Sequence, residues 1–158
     1  MSGWRTLDER MAELDREITV IAQSDPVAKR LQQLRGVGPI IATALVAAVG
    51  KGEQFANGRQ MSAAFGLTPR QQSSGGKERL LGISKRGDAY LRVLLIHGAR
   101  SVIRTSKDKD DRLSQWVTRL AARSHPNVAV VAMANKTTRM AWAMLRNGTD
   151  YQPALPAR

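Results

Sequence analysis

An all-α fold is what this sequence predicts, and three observations carry the prediction. Apolar residues recur at helical spacing along most of the chain, residues that start and stop helices stand at the ends of those runs, and the least helical stretch is 67–87. With 158 residues, 42% of them hydrophobic, the chain suits one domain with a modest core, or a domain plus an extension.

Leu7, Met11, Leu14, Ile18 and Ile21 fall at alternating steps of four and three, the spacing of a helix with a single apolar seam. Glu9, Glu13 and Glu17, with Arg10 and Arg16, suit a solvated face around it. Such a coiled-coil-like helix needs a partner, either the rest of the chain or a second copy, and Trp4 packs on it or on a neighbour. Ser24, Asp25 and Pro26 then start a short helix, AKRLQQL, that ends at Gly36. After GVGP the run IIATALVAAVG is apolar almost throughout and closes at Gly50, which predicts a buried helix, a core strand being the competing reading. The order helix, Gly-x-Gly turn, helix resembles the helix-hairpin-helix motif. Gly36 and Gly38 allow a tight turn with exposed backbone N–H groups beside a helix N-terminus, where a DNA phosphate docks without sequence readout; GVG also serves as an ordinary helix–helix turn.

Asn57 is placed to cap GRQMSAAF, with Met61 and Phe65 toward the core and a stop at Gly66. The stretch 67–87 holds Pro69, Ser73, Ser74, Gly75, Gly76 and the cations Arg70, Lys77, Arg79, Lys85 and Arg86, with Arg92 just beyond. It is expected as a long irregular loop, within which periodicity leaves room for a short hairpin bearing KERLL and SKRG on its arms. Asp88 then caps AYLRVLLIHGARSVIR, whose buried side is Leu91, Leu94, Leu95, Val102 and Ile103. TSKDKDD interrupts the pattern before RLSQWVTRLAA, marked by Leu113, Trp116, Val117 and Leu120, and Pro126 opens a last helix closed by Asn147 and Gly148. Trp116 and Trp142 read as core anchors. Three segments result: 1–28 as a coiled-coil-like assembly helix, 29–148 as the helical body, and 149–158 as an irregular tail.

Charge narrows the partners. The formal net charge is +12 and the sequence pI about 11.2; residues 1–30 hold five basic and six acidic side chains, so the excess belongs to the body, as in a nucleic-acid binder. The absence of Cys excludes disulfides and cysteine-ligated zinc, and 4% aromatics leave little for an aromatic-lined pocket. His97 and His125 have no further ligands in spacing and read as structural, and Asp108, Asp110 and Asp111, among Lys107, Lys109 and Arg112, read as a solvated loop and helix start, so no metal site is expected here. Asp8 and Glu9 stand where a signal peptide needs apolar residues, and the longest apolar run, 39–49, is far short of the roughly 20 residues of a membrane span, so the expectation is cytoplasmic and nucleoid-associated, without a membrane partner.

The candidate nucleophile lies in PRQQSSGGKERLLGISKRG. A serine hydroxyl before two glycines can be presented on a turn that lets a phosphate backbone approach, while Arg70, Lys77 and Arg79 neutralise it. The same letters also make an ordinary flexible loop. No P-loop is present, since Lys77 is followed by Glu78, and neither a serine-hydrolase triad nor a pair of catalytic carboxylates can be assembled.

LRGVGPIIATALVAAVG, then FANGRQMSAAFGLTPRQQSSGGKERLLGISKRGDAYLRVLLIHGAR, then NKTTRMAWAML together resemble the C-terminal domain of the insertion-sequence-110 family of transposases, also called transposase family 20. The resemblance covers roughly 29–148. It implies a DNA-cleaving and DNA-joining recombinase in which Ser74, with Ser73 as the fallback, attacks a DNA phosphate and forms a phosphoserine link. It further implies that Lys85 and Arg86 lie on a DNA or guide-RNA backbone. An RNase-H-like domain with four acidic residues, without a counterpart in these residues, would bind magnesium, and a structured guide RNA would pair with DNA inside a homo-oligomer. No cofactor is expected in this chain itself. The alternatives are a non-catalytic helical DNA- or RNA-binding module and a helical protein-interaction module built on Leu7 to Ile21; twelve basic against five acidic residues in 59–112 disfavour the last.

Overall fold

The computed structural model describes residues 2–74 and 76–153, with 71–74 and 77–81 described by their backbone. Among the described residues there are seven helices and one pair of strands: α1 (Ser2–Ser24), α2 (Pro26–Leu31), α3 (Pro39–Val49), α4 (Gly58–Ala64), β1 (Pro69–Ser74), β2 (Lys77–Ile83), α5 (Ala89–Thr105), α6 (Arg112–Arg123) and α7 (Pro126–Asn147). Five helices start where a short side chain accepts a backbone N–H. Asp25, Asn57, Asp88 and Asp111 accept from the first turns of α2, α4, α5 and α6, and His125 Nδ1 accepts from Asn127 N–H at the start of α7. His125 is thus a cap.

The core is one cluster. Leu31 and Leu34 from α2 and the turn after it meet Leu45 of α3, Met61 of α4, Leu91 and Leu95 of α5 and Met133 of α7, all essentially without solvent exposure. The apolar run is a helix, α3, which buries Ile41, Ala42, Leu45 and Val49 while Ile40 stays exposed. Trp116 and Trp142 pack at the edge of the core, each half-buried. Tail residues 149–153 are irregular but tied down: Gln33 donates to Asp150 and accepts from Tyr151 N–H, at 3.2 and 2.7 Å. The rest of the expected tail, 154–158, lies outside the described residues.

α1 packs on α2 and α3. Ala22 is fully buried and its carbonyl accepts from Gln32 Nε2 at 3.0 Å, joining α1 to α2. The seam further up is bare: Trp4, Leu7, Met11 and Leu14 are exposed, Met11 by 62%.

Within the stretch expected as a long irregular loop, the hairpin for which the sequence left room is present and takes up most of it: β1 and β2 pair antiparallel, with KERLL in the second strand and Lys85 to Gly87 beyond it. The segment carries almost no β-branched or alternating apolar residues, so no sequence signal marks its strands; the backbone ladder alone defines them. Among the described residues no helix makes an extended contact with the hairpin. Among the described residues no helix is long and apolar enough to cross a membrane.

Candidate active site

The hairpin leaves the body through a tightly packed foot. Gly66, after α4, and Gly87, before α5, both take positive φ, +69° and +81°, and a Cβ at Gly87 would run into the Ala64 carbonyl. Across this crossing Asp88 N–H donates to Ala64 O at 3.1 Å, Lys85 N–H to Gly66 O at 3.3 Å and Ser84 N–H to Thr68 O at 2.9 Å. Arg92 reaches back from α5 and donates to Phe65 O at 3.2 Å and Arg86 O at 3.3 Å, so its cation neutralises the C-terminal end of α4. One of the six cations around the hairpin is therefore a structural clamp. Lys85 has φ +54°, the only positive φ at a non-glycine among the described residues, a conformation that costs about 1–2 kcal/mol and is held by the surrounding bonds. Lys85 and Arg86 are both exposed at the foot.

At the far end β1 stops at Ser74 and β2 starts at Lys77, and Gly76 between them has φ +77°. The register pairs Ser74 with Lys77, Ser73 with Glu78 and Gln72 with Arg79. Because strand positions alternate between faces, Ser74 shares its set with Lys77 and Arg79, whereas Ser73 shares its set with Glu78. Arg70 is exposed near the foot, where the register shifts between Pro69 and Gln71. Four residues of strand separate it from Ser74, about 13 Å. The structure thus brings Lys77 and Arg79 to the serine end and leaves Arg70, Lys85 and Arg86 at the foot.

The GVG turn lies on another part of the body. Val37 N–H donates to Leu34 O at 3.1 Å, closing a turn with Gly36 at φ +80°, and α3 begins at Gly38 without a side-chain cap, with Pro39 in its first turn. Gly36 packs against α5: a Cβ there would stand 2.7 Å from Gly98 O and 2.8 Å from Val102 Cγ2. Gly38 is exposed, with nothing near its missing Cβ. The first glycine is explained by internal packing, the second leaves open space beside a helix N-terminus.

Sequence reasoning missed what holds this turn. Arg35 donates to Ser114 Oγ at 2.7 Å, Ser106 Oγ at 2.9 Å and Asp111 Oδ1 at 3.2 Å. Asp111 also caps α6 through Ser114 N–H and accepts from the Ser114 hydroxyl at 2.6 Å. These Ser114 bonds, with the Arg35 charge behind them, hold the Asp111 carboxyl below its ordinary value against a smaller opposing effect of burial. No local signal could have found the pair, because 76 residues separate its members. Among the described residues no group of three or more His, Asp or Glu is placed to hold a metal ion.

Fold and site together define a basic helical domain that presents a serine at the end of a projecting hairpin. The family model described as the transposase IS116/IS110/IS902 family matches residues 28–114, more than half of the chain, and the chain belongs to that family. It is 48% identical, over 94% of its length, to a Pseudomonas aeruginosa protein named "Probable family 20 transposase". It is 45% identical over 92% of its length to the transposase for insertion sequence element IS1111A of Coxiella burnetii, and 41% identical over 92% to that for IS1328 of Yersinia enterocolitica. The chain spans only 44%, 40% and 43% of these three relatives.

Proposed function

We propose that this chain is the catalytic-serine and DNA-binding part of an insertion-sequence transposase, and that it cleaves and joins DNA phosphodiesters through Ser74. The observation that carries the reading is the register at the hairpin end, with Ser74 opposite Lys77 and on the same alternate positions as Arg79, while Ser73 faces Glu78. Basic residues at register positions shared with Ser74 favour an approaching phosphodiester and the charge that builds up as it is attacked, whereas an acidic residue paired in register with Ser73 disfavours both. Ser74 Oγ loses its proton to solvent and bonds to phosphorus while the bond from phosphorus to one sugar oxygen breaks and that oxygen takes up a proton; a second DNA hydroxyl then attacks the phosphoserine ester, loses its proton, and returns the serine as its free hydroxyl.

Gly38 and the uncapped start of α3 serve as a helix-hairpin-helix-like backbone contact with DNA, with Gly36 forming the turn. Arg70, Lys85 and Arg86, at the foot, hold more distant phosphates or a guide-RNA backbone. The bare seam of α1 is the assembly surface of a homo-oligomer. An RNase-H-like acidic domain supplies magnesium, and the whole acts in the cytoplasm on nucleoid DNA. The 1–28, 29–148 and 149–158 division is kept as the functional one.

The test mixes the chain with labelled duplex carrying an element end, with and without guide RNA, the acidic domain and magnesium, and traps protein–DNA adducts. The expected result is an adduct lost in Ser74→Ala and retained in Ser73→Ala. Loss in Ser73→Ala alone moves the nucleophile by one residue. No adduct under any combination, with folding intact and DNA bound, makes the chain a non-catalytic nucleic-acid-binding module.

A further inference from the structure

Outside the hairpin and the GVG turn, three cations gather where α4 meets α7. An open cleft of about 630 Å³ is lined there by Asn57, Arg59, Lys136, Arg139, Met140 and Trp142. Its walls are fixed from both sides. Gly58 at the start of α4 sits directly on Arg139 of α7, 2.9 Å from the Arg139 Cα to where a Cβ would stand. Trp142 donates from Nε1 to Phe55 O at 3.2 Å, which holds the indole as a wall rather than a loose ring. On the other side Lys136 Nζ lies 4.9 Å from the centre of the Trp116 ring.

Three cations line this cleft, and among the described residues none of them is in an ion pair. All three are exposed. The α4 cap is already occupied, since Asn57 Oδ1 accepts from Gln60 N–H at 3.0 Å, so an anion here is met by two guanidiniums and an ammonium. Like charges gathered without a counter-charge repel one another, and an anionic ligand relieves that repulsion. Two guanidiniums suit the paired oxygens of a phosphate, while the indole and Met140 offer apolar contact to the sugar beside it. α4 has its first residue at the cleft and its last beside the hairpin foot, about 10 Å apart by helix rise. A duplex laid along the foot therefore passes within reach of the cleft.

We propose that the cleft formed by Arg59, Lys136 and Arg139 docks a backbone phosphate of duplex DNA flanking the hairpin, and fixes the duplex without reading its sequence. The proposal rests on the reading of the chain as DNA-acting, and commits to the double helix because a single phosphate clamp without a deep aromatic platform positions a duplex better than it captures splayed bases.

The experiment measures binding of the full chain to labelled 30-base-pair duplexes of two unrelated sequences, and to a hairpin RNA, by anisotropy across a salt series. Wild type is compared with Arg59→Gln/Lys136→Gln/Arg139→Gln and with Arg59→Gln alone, a single exposed change that guards against misfolding of the triple variant. Melting curves accompany both. For the triple variant the expected result is a salt slope lower by about 2 to 3 and roughly tenfold or more weaker binding at 100 mM salt, equal for both duplexes; Arg59→Gln lowers the slope by about 1. Unchanged slope and affinity on duplexes that wild type binds overturn the cleft and leave the reading of the chain standing. A loss confined to the RNA also overturns it. Failure of wild type to bind any duplex overturns both.

Discussion

Replacing Gly98 by Ala tests the contact that joins the GVG turn to α5. In an ordinary helix interior this change stabilises by about 1 kcal/mol, because glycine is the poorer helix former. Gly98 lies in the middle of α5, where its missing Cβ would overlap the Gly36 carbonyl oxygen and stand 3.2 Å from Ile41 Cδ1. The first neighbour is backbone in a turn that Arg35 and the Leu34–Val37 bond hold in place, so it cannot rotate away as a side chain would. Overpacking costs about 1–3 kcal/mol, and a backbone overlap belongs at the upper end, which leaves a net loss of about 2 kcal/mol after the gain in helix propensity. That corresponds to a fall in Tm of roughly 4–8 °C for a domain of this size. Urea unfolding followed by circular dichroism reads the change, with Gly3→Ala as a control, since nothing lies within 4 Å of that position. Because the displaced element is the proposed phosphate turn, affinity for duplex DNA should fall alongside stability, with no DNA-facing side chain touched. A Gly98→Ala protein as stable as wild type, or more so, would refute the close crossing and the internal-packing explanation of Gly36.

Asp111→Ala removes the α6 cap and the Arg35 counter-charge together, and should cost about 1–2 kcal/mol in urea unfolding. The native carboxyl titrates below its ordinary value of 3.8, so its contribution is present at neutral pH and lost as pH falls through that lowered native value. The gap between wild type and variant should therefore close in acid below about pH 4, and a gap constant down to pH 2 would contradict the assignment. Leu7→Lys/Met11→Lys places two charges in the bare α1 seam. Sedimentation velocity should show weakened self-association with monomer stability changed by less than about 0.5 kcal/mol, and a wild-type chain that stays monomeric at high concentration would remove the seam from assembly.

Much of the helical frame could be read because its signals are local. Asp25, Asn57, Asp88 and Asp111 each mark a helix start through a bond spanning two or three residues, and the four-three spacing of α1 runs the length of one helix. The hairpin could not be read as strands, since PRQQSS and KERLLGI have no alternating apolar face and their pairing is written in backbone bonds. At the candidate site, the closeness of Ser74 and Lys77 follows from two intervening glycines. Other features needed the fold: Arg92 looks like another phosphate ligand until its guanidinium is found on Phe65 O, and Arg35 meets Asp111 only because α6 packs beside the GVG turn. The cleft cations Arg59 and Lys136 come from separate helices for the same reason.

Under the proposed function, the hairpin foot sets a mechanical condition on chemistry at its tip. Six residues of strand make an arm of about 20 Å, and a tilt of about 5° at its root sweeps the serine by nearly 2 Å. Nucleophilic displacement tolerates misplacement of well under that. An isolated pair of strands is a weak beam, and here, among the described residues, the bonds from Ser84, Lys85, Asp88 and Arg92 anchor its root. Aim at the scissile bond must then be completed by whatever grips the far end, so that the reactive hydroxyl becomes accurate only once the assembly has closed around its DNA. On that reading the DNA that is to be cut also aligns the hydroxyl that cuts it.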